Sequence, residues 1–248
     1  MELINTISFW WSLIAISVFI LLLFVTAPYG RHNRKGWGAG LSNKWGWFLM
    51  EVPSFLIVLY FLWGAESSAY AMLLGSLWLF HYTYRTFIFP FRLRTSRKKM
   101  PWIIALSAIG FNGMNAGLNG YYLAHLETYT ESDFLSGHFI LGAVLFVFGT
   151  ITHQWADHKL INLRKSKNDT SYHIPKGGLF NLVSCPNMLG ELTQWTGFAF
   201  MAWNWPALSF ALWTAANLIP RAFKHHKWYL KNLDKYPVGR KAIFPFIR

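Results

Sequence analysis

Residues 87–101 read Phe-Ile-Phe-Pro-Phe-Arg-Leu-Arg-Thr-Ser-Arg-Lys-Lys-Met-Pro. An apolar run ends here in a dense basic block, Arg92, Arg94, Arg97, Lys98 and Lys99, and an apolar run resumes after Pro101. Membrane segments end this way on the cytoplasmic side, because Lys and Arg are costly to translocate and accumulate in inner loops. The alternation continues along the whole chain. Arg31, Arg34, Lys35 and Lys44 form a second cluster, Lys159, Arg164, Lys165, Lys167 and Lys176 a third, and residues 221–248 supply the fourth; only Arg85 stands apart. The connections between clusters carry no basic residue: Glu66 in one, Glu127, Glu131 and Asp133 in another, and a tight turn at residues 204–206. The pattern predicts an all-α integral membrane protein with seven crossings, N-terminus outside and C-terminus cytoplasmic.

Composition agrees. The 248 residues are 54% hydrophobic, 19% aromatic and 13% charged, against roughly 25% charged in a soluble domain. A net charge of +13 would point to nucleic acid in a soluble chain. Here the predicted inner loops account for it, so no nucleic-acid partner is expected. One membrane domain over residues 1–248 is expected, without a soluble linker. Cys185 is the only cysteine, so an intrachain disulfide is excluded. The first apolar run, residues 7–25, is longer than a signal-peptide core and is followed by a basic block; it reads as a retained anchor.

The predicted spans are 7–29, 44–63, 68–89, 101–125, 133–163, 186–203 and 205–233. The fifth and seventh exceed the roughly 20 residues a bilayer needs and are expected to extend into the cytoplasm. Trp residues near span ends fit an interfacial belt. The inner loop 164–186, with Gly177-Gly178, is expected to pack over the inner mouth, and residues 236–248 to lie at the inner interface.

Polar groups inside apolar spans are expensive and mark function by default. They include Glu51, His81, Tyr82, Arg85, Asn112, Asn115, Asn119, His153, Asp157, Asn187, Glu191, Asn217 and Arg221. Glu51, Tyr82 and Glu191 each lie about 8–10 Å from the inner end of their span at 1.5 Å per residue, in one layer. Asn187 and Glu191 share a helix face at i,i+4, as do Arg221, His225 and Tyr229. Asp157 and Arg164 share another, with His153 one turn away. Such a face suits a phosphorylated cofactor, since the Arg fork binds phosphate well. A second account stays open for several of these. Glu51 could pair with Arg85, Arg85 could snorkel inward, and the asparagines could join helices.

The segments Trp47-Phe48-Leu49-Met50-Glu51-Val52-Pro53-Ser54-Phe55, His81-Tyr82-Thr83-Tyr84-Arg85-Thr86-Phe87 and Tyr172-His173-Ile174-Pro175-Lys176-Gly177-Gly178-Leu179-Phe180 closely resemble the steroid 5α-reductases. So do Asn187, Leu189-Gly190-Glu191, Arg221-Ala222-Phe223, His225-His226 and Tyr236-Pro237. The resemblance implies a seven-helix enzyme that reduces the C4–C5 double bond of a 3-oxo-Δ4-steroid with NADPH. It implies that Glu51 and Tyr82 hold the 3-keto oxygen. It places Asn115, His153, Asp157, Arg164, Tyr172, Asn187, Glu191, Arg221, His225 and Tyr229 around the cofactor, with Arg94 or Arg97 as a further cofactor arginine. It also divides the chain into residues 1–125 with the substrate side and 126–248 with most cofactor contacts. Met50 departs from a glutamine common in the family, and His153 from a cofactor-contacting asparagine. A monomer in the endoplasmic reticulum or a bacterial inner membrane is expected.

The chemistry explains the residue types. Hydride addition to an enone builds negative charge on the carbonyl oxygen, which needs hydrogen-bond donors there. Tyr82 can donate. Glu51 donates only when protonated, and an apolar span favours the neutral form of a carboxyl. No residue stands out as donor of the second proton. Gly36-x-Gly38-x-Gly40 lacks the dinucleotide-fold spacing and follows no strand, so a cofactor would bind on the helical inner face. Scattered histidines without cysteine partners make no metal site. The alternatives are a reductase of the same fold acting on an enoyl thioester or polyprenol, a membrane methyltransferase, and a non-enzymatic receptor or transporter.

Overall fold

The computed structural model describes residues 1–28, 30–32, 36–94, 98–164 and 171–246. Their helices are α1 (Glu2–Phe24), α2 (Asn43–Leu62), α3 (Ala69–Thr83), α4 (Phe89–Arg92), α5 (Trp102–His125), α6 (Gly137–Asn162), α7 (Pro186–Ala202) and α8 (Trp205–Asn232). A π-helical turn, Tyr84–Ile88, joins α3 to α4 without a break. Seven long helical stretches therefore stand where seven spans were predicted. Three of them, α1, α2 and α6, are long and apolar enough to cross a membrane by length and composition.

Helix ends follow local chemistry. Side chains of Ser42, Ser68, Ser136 and Asn204 accept the backbone N–H three residues on, at the starts of α2, α3, α6 and α8. Each such cap stabilises by about 1 kcal/mol. Two predicted boundaries move. The first span was drawn to residue 29, but α1 ends at Phe24 and Val25 is extended; Pro28 pushes the chain before it out of the helical region. The fifth was drawn from residue 133, but residues Glu131–Leu135 form a separate 3-10 turn, boxed by Thr130 and Asp133, ahead of α6.

The described residues are mostly helical, as expected, with one small sheet besides. β1 (Gly40–Ser42) pairs antiparallel with β2 (Lys99–Pro101), with Leu41 opposite Met100. Two inner loops satisfy their backbone groups on each other. Only glycine fits at position 40, where a Cβ would sit 2.9 Å from that of Lys99. The pairing ties the starts of α2 and α5 together.

The tightest helix pair is α6 with α7. Gly142 faces Gly197, and Gly149 faces Gly190; a Cβ on any of these would lie within 2.8 Å of the partner helix's backbone oxygen. The glycines recur seven residues apart on both helices, so the backbones touch along one stripe. At its inner end the stripe presses Gly190 against His153, whose backbone nitrogen would be 2.4 Å from an added Cβ. Beside it a buried aromatic core gathers Trp78, Trp195, Phe198 and Phe210, with Trp195–Phe210 ring centroids 4.6 Å apart.

The described part of the C-terminal segment packs on the residues that precede α7. Lys241 donates to Leu182 O at 2.9 Å and accepts from Ser184 N at 2.8 Å. Tyr236, Arg240 and Ile243 are buried. Pairing with the inner loop satisfies its backbone, and Ile243 fills the space under Cys185 and Ala222.

Candidate active site

Glu51 sits on α2 and is 7% exposed. Arg85 Nη2 donates to its Oε1 at 3.1 Å, and Asn112 Nδ2 lies 3.5 Å from its Oε2. Of the two accounts open from sequence, the ion pair with Arg85 forms. The π turn explains why Arg85 reaches inward. A π turn inserts one residue into a helix and re-aims the side chains that follow. Arg85 is 8% exposed, and its guanidinium lies 4.8 Å from the ring centroids of both Trp47 and Phe89. It does not snorkel: both its arms are engaged inside the protein.

The second arm of Arg85, Nη1, lies 3.9 Å from Asp157 Oδ2. Asp157 Oδ1 accepts from Asn187 Nδ2 at 3.1 Å. His153 Nε2 lies 3.6 Å from Asp157 Oδ2, and its Nδ1 lies 3.7 Å from Glu191 Oε2. Five sequence-predicted residues, Glu51, His153, Asp157, Asn187 and Glu191, thus join Arg85 in one largely buried polar line. Tyr82 lies alongside, with Ser54 and Glu51 as neighbours of its hydroxyl. Its ring packs 5.2 Å from Trp78 and 5.1 Å from His81.

A cavity of about 220 Å³ opens next to this line, lined by Asp157, Asn187, Arg164, Tyr172 and Tyr229 together with Arg31 and Arg94. The first five were expected around a cofactor; Arg31 and Arg94 add two cations. Arg31 lies 4.3 Å over the ring of Tyr229 and 5.3 Å from Tyr172. Its buried Nη1 has no hydrogen-bond partner among the described residues. Arg94 and Arg164 each donate to the other's backbone carbonyl, and Lys98 Nζ donates to the Tyr172 hydroxyl at 2.5 Å. Of the described part of loop 164–186, Arg164, Ser171, Tyr172 and His173 line the cavity. Gly178 lies against Trp155, 2.7 Å from where a Cβ would be.

Other predicted residues sit elsewhere. His225 Nδ1 bonds the Arg221 carbonyl oxygen at 2.9 Å, and its ring lies 5.1 Å from His32, beyond the cavity wall. Asn115 accepts from Trp11 Nε1 at 3.2 Å and does not line the cavity. Arg97, the alternative to Arg94, lies outside the described residues. Sequence reasoning missed Arg31 and used Arg85 only as a bland alternative. The clustering of basic residues flagged Arg31, but as a topology signal.

The residues present suit a phosphorylated dinucleotide. Arg31 Nη1, a donor without a hydrogen-bond partner among the described residues, shares the wall with Arg94 and Arg164, and such a cationic wall suits an anion. The cavity is smaller than the roughly 300–1,000 Å³ typical of ligand pockets, so it has room for only a portion of such a molecule. Its wall reaches Arg164 and Ser171, the two described residues that flank positions 165–170.

Residues 98–248 match the family profile described as 3-oxo-5-alpha-steroid 4-dehydrogenase. A steroid 5-alpha-reductase of Solanum lycopersicum is 41% identical over 252 residues, covering 99% of this chain and 97% of the relative. The 3-oxo-5-alpha-steroid 4-dehydrogenase 2 of Homo sapiens is 38% identical over 92% of this chain and 91% of its own length. The type 1 enzyme of Bos taurus is 35% identical over the same shares, 92% and 91%.

Proposed function

The chain belongs to the steroid 5α-reductase (3-oxo-5α-steroid 4-dehydrogenase) family, an oxidoreductase family acting on a CH–CH group, and from that premise we propose that it reduces the C4–C5 double bond of 3-oxo-Δ4-steroids to 5α-dihydrosteroids with NADPH. The observation that carries this reading is the buried line from Glu51 through Arg85 to Asp157. It joins a keto-binding end to the wall of a cationic cavity.

Tyr82 donates its O–H to the 3-keto oxygen. Arg85 occupies Glu51 Oε1, so Glu51 Oε2 is the oxygen left to carry a proton toward the same keto group. Together they stabilise the charge that builds on the oxygen as the enolate forms; removing one such donor costs about 3–4 kcal/mol in the transition state. NADPH, when bound, supplies the hydride. Asp157, Asn187 and Glu191 would hold its reactive end. Arg31, Arg94 and Arg164 would meet its phosphates, with Tyr172 and Tyr229 beside them in the cavity wall. The aromatic core of Trp78, Trp195 and Phe210 keeps water from the enolate.

The topology follows the charge clusters: seven crossings, with the cavity at the cytoplasmic end and the N-terminus outside. The second reading keeps the fold and replaces the steroid by an enoyl thioester or polyprenol. Glu51 favours the steroid, since a 3-keto group uses a second donor.

The test is NADPH oxidation by the detergent-purified protein on addition of progesterone or testosterone, with product stereochemistry determined. A 5α-dihydro product establishes reaction, cofactor and substrate class. Tight NADPH binding without steroid turnover moves the substrate to the enoyl or prenyl class.

A further inference from the structure

Glu51 meets a donor at each of its carboxyl oxygens, and the two donors come from different helical segments. Arg85 Nη2, on the π turn, donates to Oε1 at 3.1 Å. Asn112, buried on α5, has its Nδ2 3.5 Å from Oε2. The same nitrogen donates to the Met50 carbonyl oxygen. A carbonyl only accepts, so the Asn112 atom facing it is the amide nitrogen and not the amide oxygen. That contact fixes which way the side-chain amide is turned. An amide nitrogen carries two hydrogens. Met50 takes the first, and the second is left for Glu51.

The packing of α5 on α2 brings the amide there. At Gly120 an added Cβ would lie 3.3 Å from the Val58 Cα, so the two helices run close at that level. Asn112 stands eight residues before Gly120, and Glu51 seven before Val58, about two turns down the same seam. A helix carbonyl keeps a second lone pair beside its ladder bond, and that of Met50 receives Asn112. The contact therefore has two possible roles. It can pin α5 to α2 through Met50, or it can act on the carboxyl of Glu51.

We infer that Asn112 is a positioning residue for the reaction, directing the Glu51 proton to the 3-keto oxygen. The inference rests on the reductase reading above. Arginine has donors only, so the oxygen that Arg85 meets, Oε1, is the bare one, and the hydrogen of a neutral Glu51 is on Oε2. An acid hydroxyl oxygen both donates and accepts. The Asn112 N–H takes an accepting position on Oε2, and the O–H is turned away from Asn112. It is thereby kept for the keto oxygen that Tyr82 also meets. Asn112 acts through Glu51 and not on the steroid.

The test is a double-mutant cycle on the detergent-purified protein, read by steady-state kinetics with one 3-oxo-Δ4-steroid. Asn112→Leu removes the donor and should lower kcat about tenfold with little change in the KM for NADPH. In Glu51→Gln the amide oxygen meets Arg85, and a nitrogen that cannot accept stands where Oε2 stood. Asn112 has nothing left to orient, so adding Asn112→Leu to Glu51→Gln should change kcat by no more than about twofold. Asn112→Ser, which also lacks the amide, runs through the same cycle in case the leucine variant does not fold. A tenfold loss in both backgrounds means that Asn112 only pins α5 to α2, and overturns the inference. A second readout needs no turnover: the infrared C=O band of a bound ketosteroid carrying ¹³C at C3. It should move to higher wavenumber in Asn112→Leu, as the hydrogen bond to the keto oxygen weakens, and a band that stays in place overturns the inference. A parent that reduces no steroid removes the reductase reading and this role with it. A parent that does, with an additive cycle, removes the role of Asn112 alone.

Discussion

Arg85 Nη2 lies 3.1 Å from Glu51 Oε1, joining the π turn after α3 to the middle of α2. Both residues are buried. Removing one partner of a buried pair leaves the other charge uncompensated, which costs about 3–5 kcal/mol. Arg85→Ala should therefore lower the thermal midpoint sharply in detergent. The double variant Glu51→Leu, Arg85→Met should recover part of that stability, because replacing both partners by apolar groups of similar size is close to neutral, while Asp157 still loses its contact with Arg85. It should still lack turnover. A double variant as unstable as Arg85→Ala would mean that the pair is not the source of the loss.

The proposed keto-oxygen donors, Tyr82 and Glu51, predict a graded series. Tyr82→Phe removes one hydroxyl and should lower kcat about 10²–10³-fold with little change in thermal midpoint. Glu51→Gln can still donate and should retain more activity than Glu51→Ala. Steady-state kinetics with one steroid decide this, and full turnover by Tyr82→Phe would remove Tyr82 from the reaction.

The glycine stripe predicts a position-dependent response to one methyl group. At Gly149 an added Cβ would sit 2.3 Å from the Gln194 nitrogen, whereas at Gly117 on α5 nothing lies within 4 Å. Gly149→Ala should destabilise by about 1–3 kcal/mol through overpacking and disturb turnover, since the stripe sets the spacing of His153 from Glu191. Gly117→Ala should stabilise by about 0.5–1 kcal/mol, as expected for removing a helix-interior glycine. Thermal midpoints of the two variants, measured side by side, check the sign of each.

Arg31 predicts a split between binding and chemistry. Its guanidinium lines the cavity, whereas neither Glu51 nor Tyr82 does. Arg31→Ala should raise the KM for NADPH about tenfold, the equivalent of about 1.4 kcal/mol, and leave kcat nearly unchanged. A fall in kcat with an unaltered KM would assign Arg31 to another role.

At the opposite end of the bundle, the Thr130 backbone N–H and hydroxyl both donate to Asp133 Oδ2, at 2.7 and 3.0 Å. These bonds hold the Asp133 carboxyl below its usual range. A group whose folded value is depressed contributes stability above its unfolded value, near 3.9. That contribution is lost as pH falls through the lower, folded value. Asp133→Asn should therefore show less loss of thermal midpoint on acidification below about pH 4 than the parent does.

The long helices were legible in the sequence because hydropathy and charge act locally. An apolar run of given length becomes helix in a membrane whatever lies elsewhere in the chain, and a basic block ends it. Helix-face relations were legible for the same reason. Asn187 and Glu191, four residues apart on α7, do present one face, and both reach the His153–Asp157 pair on α6. The motif residues Glu51 and Tyr82 could be named, but not their partners. Whether Glu51 meets Arg85, whether Arg31 is a topology signal or a cavity wall, and whether Asn115 faces a ligand or Trp11 are questions about segments 34 to 198 residues apart. Tertiary structure decided these. A π turn re-aimed Arg85, a strand pair joined two inner loops, and two glycine contacts brought α6 and α7 close enough for His153 to stand between Asp157 and Glu191. The sequence by itself determined which residues are buried in helices; only packing determined what each buried charge faces. A buried polar group is stabilised by the partner brought to it from another helix, and no local pattern specifies that partner.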